Sequence, residues 1–250
     1  VLGMAAHMDG KAAKVLGMTG MAQKGGGVMS HIRFANDATR IPNARLGAGQ
    51  ADLLIACDLV VATGPDVAKS VRADSYVLAN EDVVPTGEFQ TRKDMDFRAA
   101  TFLPAITQRV EDKNMALVRA NALAAKLLGD TIFTNLLMVG YAAQKGLLPV
   151  GLEAIREAVR LNGTAVSANL HAIEIGRIAA AFPDELEAFA QLSASTPAPE
   201  TLADLIESRS RHLTRYQNAG YAADYQAFVA DVSSRLKARN IANSDVFEKI

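Results

Sequence analysis

The sequence predicts an α/β domain with a mainly parallel sheet, followed by helices toward the C-terminus. Three observations predict it. Short aliphatic runs alternate with helix-like stretches through the first half of the 250 residues, the pattern of layered strands and helices. From Asn114 onward, apolar residues recur at three- and four-residue spacing, the period of one helix face. Half the residues are apolar, yet only 6% are aromatic and tryptophan is absent. Alanine, leucine and valine must therefore fill the core, which suits close-packed helices and buried parallel strands.

Taken in order, residues 1–10 read as the end of a helix that Asp9-Gly10 stops. Residues 14–18 are a short strand, and residues 28–34 a second one after a glycine loop. Residues 35–50 are loop, with Asn36-Asp37 as a turn signal. Residues 51–62 hold two apolar runs, Leu53-Leu54-Ile55-Ala56 and Leu59-Val60-Val61-Ala62. The second is β-branched, ends at Thr63-Gly64-Pro65 and reads as a buried strand. Pro65 then opens a helix, as proline in a first turn does. Residues 75–79 form another strand. Residues 80–98 are polar and loop-like, with a hairpin around Pro85-Thr86-Gly87, and 101–106 read as an edge strand or a short helix. Paired carboxylates there and beyond, Glu81-Asp82 and Glu111-Asp112, read as solvated turns, because adjacent residues do not share a face.

Beyond Asn114, Leu117, Ala120, Ala124, Leu127 and Leu128 mark one helix, broken by Gly129-Asp130. Ile132, Phe133, Leu136, Leu137, Gly140 and Ala143 mark a second, and Leu152, Ile155 and Val159 a third that ends near Asn162-Gly163. A fourth covers 166–181 and stops at Pro183. The Ser- and Pro-rich stretch Ser193-Ala194-Ser195-Thr196-Pro197-Ala198-Pro199-Glu200 is a linker. Past it, Leu202, Leu205, Ile206, Arg209, Leu213 and Tyr216 share one helical face. Tyr221, Tyr225, Phe228, Val232 and Leu236 form another stripe, which reads as core.

Composition excludes several functions. With 26 basic and 27 acidic residues, the basic excess of a nucleic-acid binder is missing. No apolar run reaches 18 residues, so no membrane span is expected. One cysteine, Cys57, excludes a disulfide framework, points to a reducing cytoplasm and cannot hold an iron–sulfur cluster. His7, His31, His171 and His212 lack the local spacing of a zinc site. No basic-then-apolar signal segment opens the chain.

The most informative stretch is Thr19-Gly20-Met21-Ala22-Gln23-Lys24-Gly25-Gly26-Gly27 running into Val28-Met29-Ser30-His31-Ile32-Arg33-Phe34. Glycine lets the main chain turn sharply and approach another surface. Successive N–H groups beside a lysine attract phosphates or carboxylates. A local alternative is a flexible hairpin or strand-entry loop. Along the strand, Ser30 and Ile32 share one face, and His31 and Arg33 the other. Arg33 has the fork geometry to grip an anion; the alternative is that His31 and Arg33 form a solvated or interface face. A free-standing phosphate binder is disfavoured, because neither a P-loop nor a G-x-G-x-x-G motif follows a strand.

These residues together resemble the gamma domain of 2-oxoacid:ferredoxin oxidoreductases, in particular that of the fused bacterial indolepyruvate ferredoxin oxidoreductases. The resemblance rests on His7-Met8-Asp9-Gly10-Lys11, Thr19 to Gly26, Ser30-His31-Ile32-Arg33, Gln50-Ala51-Asp52-Leu53-Leu54 and Cys57-Asp58-Leu59-Val60-Val61. It continues through Thr134-Asn135, Gly140-Tyr141, Lys145-Gly146-Leu147-Leu148-Pro149, Asn162-Gly163, Asn169 and Gly176. It implies a three-layer, Rossmann-like gamma-type domain over 1–190, a linker over 191–200 and the start of a following helical domain over 201–250. It also implies an enzyme that oxidatively decarboxylates a 2-oxoacid to an acyl-CoA and passes electrons to ferredoxin. Thiamine diphosphate, coenzyme A and iron–sulfur clusters serve the complete enzyme; none is expected on this chain's own ligand set. Lys24, Gly25, Gly26, Gly27, Ser30, His31 and Arg33 would then lie near the substrate or coenzyme A.

Two departures qualify the resemblance. The family's gamma domain opens with a strand and a Gly-rich turn, whereas Val1 to Ala6 look like the middle of an apolar helix, so an upstream element is expected. Thiamine-binding and cluster-binding segments are missing from the sequence. The isolated chain is therefore expected to be inactive, to work with other domains or subunits of the oxidoreductase and to form a homo-oligomer. The competing expectation is a structural subunit-interface domain that binds no small molecule.

Overall fold

A computed structural model describes residues 1–19, 27–82, 102–193 and 202–238. The chain divides into two compact units, Val1–Ser193 and Ala194–Ile250.

The first unit opens with helix α1 (Leu2–Met8), ended by Gly10 at φ +68°. Strands β1 (Ala12–Thr19) and β2 (Val28–Ala35) pair antiparallel in full register, from Ala12 opposite Ala35 to Thr19 opposite Val28. They form a two-stranded sheet of their own. The glycine segment therefore connects the two strands of a hairpin, one of the local alternatives for it, and these strands stand apart from the parallel sheet. Eight paired residues with a short connection are enough to close an antiparallel ladder, whereas a parallel neighbour needs a crossover.

The parallel sheet is built from β3 (Leu53–Ala56), β4 (Tyr76–Asn80) and β5 (Met115–Val118), in the order β3-β4-β5. Leu53 lies opposite Tyr76, and Val77 opposite Met115. Side chains alternate between its two faces. Leu78 and Val118 join one core, with Leu53, Ile55 and Tyr76 against it. Val77, Ala79 and Ala56 join the other. The first face is covered by α5 (Ala120–Leu128), α6 (Thr134–Gln144), α8 (Val166–Ala181) and α9 (Pro183–Ser193). The second is covered by α2 (Leu59–Ala62) and α4 (Pro104–Thr107), with α3 (Pro65–Ala68) following α2. The result is helix, sheet, helix, the three layers expected. A further cluster joins α1 to α7 (Leu152–Asn162) through Ala5, Ala6, Ile155, Ala158 and Ile173, with Ala13 and Phe34 of the hairpin packed on it.

Several local expectations change. Residues 59–62 are helix, not strand. Asp58 accepts the Val60 and Val61 N–H groups at 2.8 and 3.3 Å, and this N-cap outweighs the β-preference of two valines. The helix expected from Asn114 begins at Ala120 instead, because 115–118 form the third parallel strand. Leu117, counted in the helical stripe, stands 41% exposed. Residues 104–107 take the helical alternative. Pro183 both ends α8 and starts α9, since its fixed φ suits a first turn. The hairpin expected around Pro85-Thr86-Gly87 and most of the linker lie outside the described residues.

In the second unit, α10 (Leu202–Tyr216) and α11 (Ala219–Ala238) pack on each other. The contact is made through small residues: Ala222 and Ser210 are buried, and Gln226 Nε2 donates to Ser210 Oγ at 3.0 Å. The aromatic stripe is not core. Phe228 is 67% exposed and Tyr221 43%, because two helices bury only the strip where they touch.

Helices α6 and α8 cross backbone to backbone. A Cβ at Gly140 would lie 2.1 Å from Ile173 O, and one at Gly176 1.8 Å from Leu137 O. Both obstacles are backbone, so neither helix can yield locally. Gly140→Ala and Gly176→Ala should each destabilise the domain by about 3 kcal/mol or more, at the upper end of overpacking costs. Urea unfolding measures this as a lowered midpoint; an unchanged midpoint in either variant would contradict the close crossing.

Candidate functional site

The candidate site is built on the hairpin. Lys14 lies opposite Arg33, Leu16 opposite His31 and Gly17 opposite Ser30. Cross-strand partners share a face, so Lys14, His31 and Arg33 point one way, and Ser30 the other. Lys24, Gly25 and Gly26 lie outside the described residues. Gly27 is described: a Cβ there would approach Val61 Cγ2 to 3.3 Å. The returning end of the glycine segment thus rests on α2, the first turn beyond the carboxyl end of β3. Ser30 is exposed.

His31 and Arg33 are occupied. His31 is buried, 8% exposed, and its Nδ1 accepts the Leu46 N–H at 2.9 Å. An accepting Nδ1 puts the ring proton of the neutral form on Nε2. Burial, then Arg45, then Arg33 lower the His31 pKa. Arg33 Nη2 donates to Arg45 O at 3.0 Å and to Gln50 Oε1. Its Nε is buried with no partner among the described residues. Gln50 Oε1 also accepts the Gly47 N–H at 2.9 Å, and Lys14 Nζ donates to Ile41 O. These side chains fasten the 41–50 loop onto one hairpin face.

A second set of polar groups stands at the carboxyl edge of the parallel sheet, where ligands gather in such folds. Asn80 is fully buried. Its Nδ2 donates to Cys57 O at 3.1 Å, and its Oδ1 accepts the Ala120 N–H at 3.0 Å. One amide thereby ties together the ends of all three strands. Asp82 Oδ2 accepts the Ala122 N–H at 2.8 Å, so Asp82 caps α5 across the chain and is not the solvated turn residue expected. Arg119 reaches Glu187 at 2.9 Å and Asp82 at 4.0 Å. Beside them, a cavity of about 150 Å³ opens between β5, α5 and α9, with Val118, Leu123, Tyr141 and Leu186 among its walls. Sequence reading missed Asn80 and Asp82, because a partner 40 residues away leaves no local signal.

The ligand chemistry available is limited. Burial pushes the Cys57 thiol up to about 11, so it is not the ready thiolate that a metal cluster requires. Among the described residues, no three His, Cys, Asp or Glu side chains gather to hold a metal ion.

Residues 1–179 match the family model described as pyruvate ferredoxin/flavodoxin oxidoreductase. The chain belongs to this family. It is similar to indolepyruvate oxidoreductase subunit IorB of Pyrococcus horikoshii, 26% identical over 181 residues, which covers 70% of this chain and 85% of that protein. IorB of Thermococcus kodakarensis is likewise 26% identical over 182 residues, with 70% and 85% covered. Among solved structures, the chain is similar to pyruvate oxidoreductase subunit PORC of Thermotoga maritima. That match has a TM-score of 0.46 and 19% identity, over 70% of this chain and 84% of that one.

Some of the segments that carried the resemblance to this family make contacts that hold the fold together. Asp9 Oδ2 accepts the Gly151 N–H, and Lys11 Nζ donates to Pro149 O. The first helix is thereby joined to the entry of α7. Gly140 and Gly176 form the α6–α8 crossing. Asn169 Nδ2 donates to Thr164 O at 2.9 Å at the start of α8.

The His31 contact predicts a pH dependence. The folded pKa lies below the unfolded 6.5, so the folded state binds fewer protons. The stability carried by neutral His31 is complete above pH 6.5 and is lost as pH falls from there through the folded value. Protonation removes the acceptor for Leu46 N–H, a hydrogen bond worth about 1 kcal/mol. Urea midpoints between pH 7.5 and 5 should fall in the wild type and flatten in His31→Gln, whose amide does not titrate. Identical profiles would show that His31 does not carry the effect.

Proposed function

We propose that this chain is a module of a 2-oxoacid ferredoxin oxidoreductase of the indolepyruvate type. The complete enzyme would oxidatively decarboxylate a 2-oxoacid to an acyl-CoA and deliver electrons to ferredoxin. The observation that carries this reading is the family match across 1–179, supported by relatives that are themselves named as oxidoreductase subunits. Thiamine diphosphate, held elsewhere in the assembly, supplies the electron sink for the reaction. The chain works with companion subunits or domains, in an oligomer, in the cytoplasm, and is inactive alone.

Within that reading, the glycine segment is the part of this chain nearest the reacting groups. Lys24, Gly25, Gly26 and Gly27, together with Ser30, would supply backbone N–H groups and one cation to the substrate or coenzyme A. Gly27, seated on Val61, supports a place near the carboxyl edge of the sheet. His31 and Arg33 serve this site by positioning, since their hydrogen bonds go to Leu46, Arg45 and Gln50. Those same bonds favour the second reading, a purely structural interface domain, in which the hairpin binds no small molecule.

Two measurements test these readings. The chain alone should show no 2-oxoacid- and coenzyme A-dependent reduction of ferredoxin, and activity should appear with the thiamine-bearing subunit added. Turnover by the isolated chain, or no gain from its addition, would overturn the proposal. Calorimetry with coenzyme A then separates the two readings. Saturable binding that Lys24→Ala weakens about tenfold, the loss of one charge-assisted contact of about 1.4 kcal/mol, supports the ligand-proximal loop. No binding by the assembled enzyme's module favours the structural reading.

A further inference from the structure

Charge is unevenly divided along this chain. Residues 10–51 contain six lysines and arginines and one carboxylate, Asp37. That stretch carries +5 in a chain of net charge −1, leaving −6 on the remaining residues. The fold concentrates these cations. Lys14 and Arg33 are direct cross-strand partners, and like charges in that register repel. Arg33 reaches Arg45 O at 3.0 Å, and Lys14 reaches Ile41 O, next to Arg40. Lys14 and Arg33 therefore sit on one hairpin face, with Arg45 in the loop fastened to it and Arg40 at the entry of that loop.

Among the described residues, none of the four has a carboxylate partner. Elsewhere in the same unit Arg72, Arg119, Arg156, Arg160 and Arg177 are each ion-paired, and among the described residues Arg109 stands alone, without a second cation gathered beside it by hydrogen bonds. The one local carboxylate, on Asp37, is turned onto Thr39 N and Oγ1 at 2.8 and 2.9 Å. Backbone carbonyls accept from Lys14 and Arg33, which fixes their positions but leaves their charge uncompensated. Arg40 and Arg45 are exposed.

We propose that this basic lobe is the docking surface for an acidic face of a companion protein subunit, an inference that rests on the chain's role as a module. Complementary potentials of this kind orient a partner and speed encounter more than they add affinity. The cations are spread over a strand pair and a loop rather than converging on one point, which suits an extended partner face. A single-stranded nucleic acid is the weaker match. The one aromatic residue between 10 and 51, Phe34, packs inward with the α1–α7 cluster, so the lobe offers no stacking platform.

The test uses the full chain and poly-L-glutamate as the acidic probe, with poly-uridine RNA and inorganic phosphate in parallel, at 20 and 200 mM NaCl by calorimetry. Poly-L-glutamate should bind at low salt and weaken about tenfold at high salt, as exposed charges are screened. Arg40→Glu with Arg45→Glu should weaken it about tenfold, by removing two of the uncompensated charges. Lys69→Glu with Lys126→Glu, equal in charge but outside the lobe, should change it less than about twofold. Absent binding, equal loss in both double variants, or tighter binding of the RNA or of phosphate would overturn the proposal. So would salt-dependent self-association abolished by the lobe variant, which would make a second copy the partner. If oxidoreductase activity cannot be reconstituted while the lobe still selects poly-L-glutamate, the functional reading falls and the acidic-partner surface stands.

Discussion

Two helices that touch backbone to backbone hold the first unit in one arrangement. Gly140 and Gly176 face the carbonyls of Ile173 and Leu137 with no room for a Cβ on either side. Because α6 and α8 approach this closely, Leu137, Met138 and Tyr141 reach the sheet from one side of the pair. Ile173 reaches the α1–α7 cluster from the other. One crossing thus serves two cores. Interiors packed to crystal-like density transmit displacement instead of absorbing it. A change there would move the sheet face and the hairpin support together.

The hairpin depends on that support at its base and on polar fastening along its face. Ala13 and Phe34 lie on the α1–α7 cluster, and Asp9 and Lys11 tie the preceding turn to Gly151 and Pro149. Farther along, Lys14, His31 and Arg33 each bond the backbone of the 41–50 loop. A two-stranded ladder alone is marginal in water, so these contacts are what give the glycine segment a defined base. The same fastening gathers cations that the sequence distributes over 32 positions, from Lys14 to Arg45.

Much of the architecture was legible. The helix expected over 166–181 has those bounds, and Gly129 and Gly163 end their helices, both in the left-handed region. The errors fall where a local signal competed with a stronger one. Val60 and Val61 favour strand, but the Asp58 cap holds a helix turn. Met115 to Val118 share apolar character with the helix that follows, and only pairing with Val77 to Asn80 identifies them as a strand. The family was legible because its segments are strung along the sequence in order; its membership follows from the match over 1–179.

The candidate site divides differently. By itself, the sequence determined the family, the helix spacing, the glycine segment and the excess of cations before Asp52, because composition and short-range periodicity are local properties. Only tertiary structure decided that β1 and β2 make a hairpin apart from the parallel sheet, and that His31 and Arg33 spend their hydrogen bonds on a loop. It alone decided that Asn80 and Asp82 bind the sheet to α5. Those facts rest on partners 9 to 40 residues away. Which distant backbone group a side chain meets is set by packing of the whole unit, and no local pattern encodes it.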